Sequence, residues 1–140
     1  MPEPALTRGL HHVGLTVRDL EETAGFFIEV LGFRKIRENP AYPALFITDG
    51  SNMMSLWQAS DPATARPFDR KQALGLHHLA LEVAPEGLDA LHARLRGVPG
   101  VSVEFAPEPV GEGPSRHMMC VIPGGLRLEF IAPVAGSAAG

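Results

Sequence analysis

Leu10-His11-His12-Val13-Gly14-Leu15-Thr16-Val17 returns as Leu76-His77-His78-Leu79-Ala80-Leu81-Glu82-Val83, with His12 and His78 standing 66 positions apart. Both stretches alternate as a half-buried strand does. Val13, Leu15 and Val17 fall on one side and His12, Gly14 and Thr16 on the other; Leu79, Leu81 and Val83 match the first set, and His78, Ala80 and Glu82 the second. The two histidines His12 and His78 thus oppose the apolar side of their strands, whereas His11 and His77 have the other parity and are expected to be structural or solvent-facing.

The repeat extends beyond these strands. Asp19, with Glu22 three residues on, is an N-cap ahead of Phe26, Phe27, Val30 and Leu31 at helical spacing, and Gly32 stops the helix. In the second copy Pro85 suits a first helical turn, Leu88, Leu91 and Leu95 form the apolar stripe, and Gly97 ends it. Three short strands follow each helix, near 33–37, 44–48 and 53–57 and near 101–105, 117–122 and 126–131; turns at 48–51 and 123–125 precede the last strand of each half. The pattern is βαβββ written twice. It predicts an α+β domain spanning 1–140, with a module over 10–58, a module over 75–133 and a Pro-containing linker over 59–74. Ala135 to Gly140 read as a frayed tail.

Composition limits what such a chain does. Its 140 residues suffice for one core, and 12 basic against 16 acidic residues give a net charge of −4 with no basic cluster for a phosphate backbone. Nucleic acid is excluded as an expected partner. A single cysteine, Cys120, rules out an internal disulfide, and its parity places it on the helix side, buried. No apolar run approaches the ~20 residues of a membrane span. The expectation is a soluble, cytoplasmic protein without a membrane partner.

The polar sides of the strands carry the chemistry. Glu129 lies between Leu128 and Phe130, opposite their apolar face, where a carboxylate needs water, a cation or a partner such as Arg127. His12, His78 and Glu129 together make two imidazoles and one carboxylate, a donor set suited to one divalent ion such as Fe, Mn, Zn or Ni. Ser55 and Trp57 share the cavity side of their strand, and His117 and Met119 that of theirs. His117 is the candidate for proton transfer. Ser55, Trp57 and Met119 are candidate pocket residues. Arg66, Arg70 and Lys71 in the linker, and Arg116, are cationic candidates for an anionic substrate or plain solvated charges.

The doubled βαβββ pattern, the H-V-G-L-T-V-R-D-L opening at 12–20 and the P-G-G-L-R-L-E-F ending at 123–130 resemble the vicinal oxygen chelate superfamily. That group includes glyoxalase I, fosfomycin-resistance transferases, methylmalonyl-CoA epimerase, extradiol dioxygenases and bleomycin-resistance binding proteins. The resemblance spans about Leu10 to Pro133 and implies two modules forming a cupped, eight-stranded mixed sheet, with metal ligands at His12, His78 and Glu129. It implies a small-molecule substrate that chelates the ion through vicinal oxygens, and a homodimer in which modules pair within a chain or between chains. Where glyoxalase I and the epimerase have a Glu or Gln on the last strand of the first module, this chain has Ser55. Where the transferases and dioxygenases have a tyrosine four residues before the P-G-G turn, it has Met119. Lyase or isomerase chemistry is therefore the favoured expectation; an extradiol-type dioxygenase or a metal-free, bleomycin-resistance-like binding protein is the alternative.

Overall fold

A computed structural model describes residues 3–134; the stretch read as a frayed tail, 135–140, lies outside the described residues. The chain divides into two compact units, one ending at Ala65 and the other beginning at Arg66. The segment read as a linker is shared between them. Its first part is tied to the first unit by the Arg18 guanidinium, which donates to the carbonyls of Pro62 and Ala65.

The first unit runs β1 (His12–Val17), α1 (Leu20–Gly25), β2 (Arg34–Asn39), β3 (Ala44–Thr48) and β4 (Met53–Gln58), in the sheet order β1-β4-β3-β2. β1 is parallel to β4, and the other pairs are antiparallel. Asp19 caps α1 by accepting from the Glu22 N–H at 3.1 Å, as the sequence predicts. The helix then widens into a π-helical stretch, Phe26–Val30, which buries the adjacent Phe26 and Phe27 together. Gly32 follows at φ +81°, the left-handed conformation that ends the helix.

The second unit repeats this order with β5 (Leu79–Glu82), α2 (Leu88–Arg96), β6 (Ser102–Pro109), β7 (Arg116–Val121) and β8 (Arg127–Ala132), in the sheet order β5-β8-β7-β6. Pro85 opens a 3₁₀ turn, Pro85–Gly87, that leads into α2. Strand pairing in the two units is equivalent: Gly14 faces Ser55 across β1 and β4, and Ala80 faces Glu129 across β5 and β8. The eight expected strands thus form two four-stranded mixed sheets of identical topology.

Each unit has its own core on the helix-facing side of its sheet. Leu15, Phe27, Ile47 and Leu56 are buried in the first; Leu88, Leu95, Met118, Leu128 and Phe130 are buried in the second. Cys120 is buried with the latter set, as its parity requires.

Both second strands carry a bulge at the equivalent place. In β2 Ile36 is the extra residue between Lys35 and Arg37; in β6 Glu104 is the extra residue between Val103 and Phe105. A bulge breaks strict alternation, so Val103 pairs with core-facing Cys120 while Phe105 pairs with Met119 on the opposite side.

Candidate functional site

The side of the second sheet that faces away from α2 carries a polar cluster centred on Glu129. β7 and β8 set Met119 opposite Glu129 and His117 opposite Ile131, so these side chains share one face. Glu129 Oε1 lies 3.0 Å from His78 Nε2, and Oε2 lies 2.7 Å from His117 Nδ1. The carboxylate is only 12% exposed, and His117 packs against the Phe105 ring at 5.0 Å. Of the expected site residues, the structure brings His78, Glu129, His117 and Met119 together.

Behind His78 runs a chain of further contacts. His77 Nδ1 is 2.8 Å from His78 Nδ1 and 3.3 Å from Arg127 Nη1. Arg127 is itself buried and held by Glu104, to which its Nε and Nη2 donate at 2.8 and 2.9 Å. This bidentate pair holds the Glu104 carboxyl below its ordinary value and raises the Arg127 guanidinium. Desolvation and the neighbouring Arg127 charge both lower the His77 imidazole.

Two of these contacts differ from the expectation. Arg127 pairs with Glu104 rather than with Glu129. His77 turns towards Arg127 because β5 begins at Leu79, so strand parity does not apply to it. Glu104 has the parity of Ser102, which pairs with Val121 opposite Arg127, so it lies on the Glu129 side, and the bulge carries Phe105 to that side as well. The parity of Arg127 with Glu129 is legible in the sequence; the bulge is not.

A cavity of about 660 Å³ is lined by Arg127 and Glu104 together with Phe68, Arg70 and Lys71, and not by His78, His117 or Glu129. The linker cations at 70 and 71 therefore line a cavity, and Arg70 approaches Glu104 to 3.6 Å. Arg116 is engaged elsewhere: it forms a two-pronged pair with Asp89 of α2 at 3.0 and 3.1 Å, which lowers the Asp89 carboxyl.

In the first unit His12 opens β1, exposed, with its Nδ1 2.9 Å from His11 Nδ1, the same contact that His77 and His78 make. Ser55, at the position equivalent to Glu129, is 2% exposed, and its hydroxyl accepts from the Trp57 indole N–H at 2.9 Å. Trp57 stacks edge-on with Tyr42 and Phe46, at 4.9 and 5.8 Å, and Arg37 lies over the Phe46 ring. The place of a fourth carboxylate is thus filled by a hydrogen-bonded aromatic cluster.

The donor set of the second unit fits a cation. His78 Nε2 and Glu129 Oε1 stand 3.0 Å apart, a separation that is favourable only with a proton or a metal ion between them. Two donors bonded to one ion at about 2.1 Å and at right angles stand about 3.0 Å apart, the separation that His78 and Glu129 already have. Among the described residues, no group of three or more His, Cys, Asp or Glu side chains is gathered around a single ion position.

The family model described as the Glyoxalase/Bleomycin resistance protein/Dioxygenase superfamily matches residues 9–130. The chain belongs to that superfamily. It is similar to a 2-epi-5-epi-valiolone epimerase from Actinomyces sp., at 31% identity over 91% of this chain and 81% of the relative. Among solved structures, a glyoxylase/bleomycin resistance protein/dioxygenase domain from Frankia sp. EAN1pec shares the fold with TM-score 0.78 at 22% identity, covering 94% and 96% of the two chains. A FosX fosfomycin resistance protein variant from Listeria monocytogenes, complexed with Mn(II) and 1S,2S-dihydroxypropylphosphonic acid, shares it with TM-score 0.71 at 19% identity, covering 93% and 94%. As a superfamily member this chain has the glyoxalase-like fold that its doubled motif predicts. Among the described residues no helix is long and apolar enough to cross a membrane.

Proposed function

We propose that this superfamily member is a metal-dependent isomerase that epimerises a small molecule carrying a carbonyl beside a hydroxyl. The observation that supports this most is the Glu129 carboxylate held between His78 Nε2 and His117 Nδ1. The curated relative named as an epimerase, similar over nine-tenths of this chain, favours isomerase over lyase or ring-cleaving chemistry.

In this reading His12, His78 and Glu129 are the ligands of one divalent ion, Fe, Mn, Zn or Ni, with His12 assigned from the repeat and the family resemblance. When bound, such an ion supplies positive charge that stabilises negative charge developing on a substrate oxygen. His117 donates its Nδ1–H to Glu129, so its Nε2 keeps a lone pair. That nitrogen takes the proton from the carbon beside the substrate carbonyl, and the epimer forms when the planar enolate turns over before the same nitrogen returns the proton to its other face. Phe105 and Met119 shield this exchange from water.

The test combines elemental mass spectrometry of the untagged protein with deuterium incorporation from D₂O into α-hydroxyketones, including ketonic cyclitols, followed by NMR. One divalent ion per chain that is lost in a His12→Ala/Glu129→Ala variant, together with exchange beside the carbonyl, is the expected result. A protein that takes up no added metal overturns the reading and points to a binding protein. Consumption of oxygen with a catechol, without such exchange, points to the dioxygenase alternative.

A further inference from the structure

We infer that the cavity of about 660 Å³ in the second unit is a binding site for a small organic anion, with the head of a phosphate monoester held by Arg70 and Lys71 and an apolar body against Phe68 and Val121. Every lining residue belongs to the unit that begins at Arg66. None is a proposed metal ligand or the proposed proton carrier, so this site does not depend on the reaction proposed above. It lies on the side of the sheet that faces away from α2, at the end where Val121 of β7 pairs with Arg127 of β8.

The charges decide the ligand class. Three cations and two carboxylates line the cavity, a local positive excess in a chain whose net charge is −4. Arg127, only 8% exposed, gives two hydrogen bonds to Glu104 at 2.8 and 2.9 Å, so these two charges cancel where water is scarce. Asp69 is held by its own loop, its Oδ1 accepting from the Lys71 backbone N–H at 3.0 Å. Two cations are left over. Arg70 approaches Glu104 only to 3.6 Å, a carboxylate already taken by Arg127, and the Lys71 ammonium has no carboxylate partner among the described residues. Adjacent in the loop and lining one cavity, they offer a fork of N–H donors and a compact point charge, a pairing that suits a tetrahedral dianion. Pro67, Phe68 and Val121 supply apolar wall, and a Cβ on Gly125 would meet nothing within 4 Å, which leaves room for a body behind the head. A bare inorganic ion would leave that wall unused.

The experiment is a titration of the ¹⁵N-labelled full chain with phenyl phosphate, followed by ¹H–¹⁵N NMR, with benzoate and inorganic phosphate as comparison probes. Phenyl phosphate is expected to bind saturably at millimolar concentration or below, shifting the amides of 68–71 and Gly125 together. It should bind tighter than benzoate, which carries one negative charge, and tighter than inorganic phosphate, which has no apolar body. An Arg70→Gln/Lys71→Gln variant is expected to weaken it about 10- to 100-fold. Phe68→Ala should weaken phenyl phosphate and leave inorganic phosphate unchanged. Arg34→Gln/Lys35→Gln removes the same charge from exposed positions of β2 and is expected to change nothing. The site is overturned if no probe causes saturable shifts, if the shifts centre on His78, His117 and Glu129 instead, or if the two double variants weaken binding equally. Binding of benzoate as tight as that of phenyl phosphate overturns the dianionic head.

Discussion

His117 Nδ1 lies 2.7 Å from Glu129 Oε2, so the imidazole proposed to move a proton is also the group that fixes the carboxylate. His117→Ala removes both contributions, whereas His117→Gln keeps an amide donor and loses the base. The expected outcome is a fall in kcat of about 10²- to 10⁴-fold for both variants. Metal content should be retained better in His117→Gln than in His117→Ala. Steady-state kinetics beside elemental analysis checks this, and equal activity in the natural protein and His117→Gln would remove His117 from proton transfer.

The Glu104–Arg127 pair should make stability pH-dependent in a defined window. The folded Glu104 carboxyl lies below its ordinary value of 4.5, so its contribution is complete above pH 4.5 and is lost as the pH falls through the folded value. Arg127 stays charged throughout. Glu104→Gln is expected to cost about 1–2 kcal/mol at neutral pH, because a buried guanidinium loses a charged partner. The difference from the natural protein should shrink below pH 4.5. Urea unfolding of both proteins from pH 7 to pH 3 measures it.

Gly14 is close to the Ser55–Trp57 pair. A Cβ at position 14 would stand 3.0 Å from Ser55 Oγ and 3.6 Å from Trp57 Nε1. Gly14→Ala is expected to destabilise by about 1–2 kcal/mol. Ser55→Ala removes the oxygen in its way, so the double variant should lose less than the sum of the two single changes. Denaturation followed by Trp57 fluorescence gives the coupling, and strict additivity would show that the close approach has no energetic consequence.

Cys120 is fully buried on the helix side of β7, and burial pushes its thiol up to about 12. At pH 8 the thiolate needed for attack is scarce and shielded. The folded protein should therefore be alkylated by iodoacetamide orders of magnitude more slowly than the urea-unfolded chain. Rapid labelling of the folded protein would contradict the burial.

The sequence by itself determines the element order, the repeat and the side on which most strand residues lie. Apolar–polar alternation is a local property, and burying one face of each sheet gives it a single solution, so His78, His117, Met119 and Glu129 could be placed on one face before any coordinates. Cap and turn chemistry is equally local: Asp19 caps α1, and Gly32 ends the helical stretch. The tertiary structure decided what local patterns cannot carry. The β6 bulge turns Phe105 to the Glu129 side, because one extra residue in a ladder changes the facing of its neighbours. β5 begins after His77, which frees that ring to meet Arg127 instead of following strand parity. Trp57 occupies the Ser55 hydroxyl through a contact between side chains, a property of packing rather than of sequence spacing. Which atom of each polar side chain meets which partner follows from register and bulges, and these arise only when whole strands pair and pack.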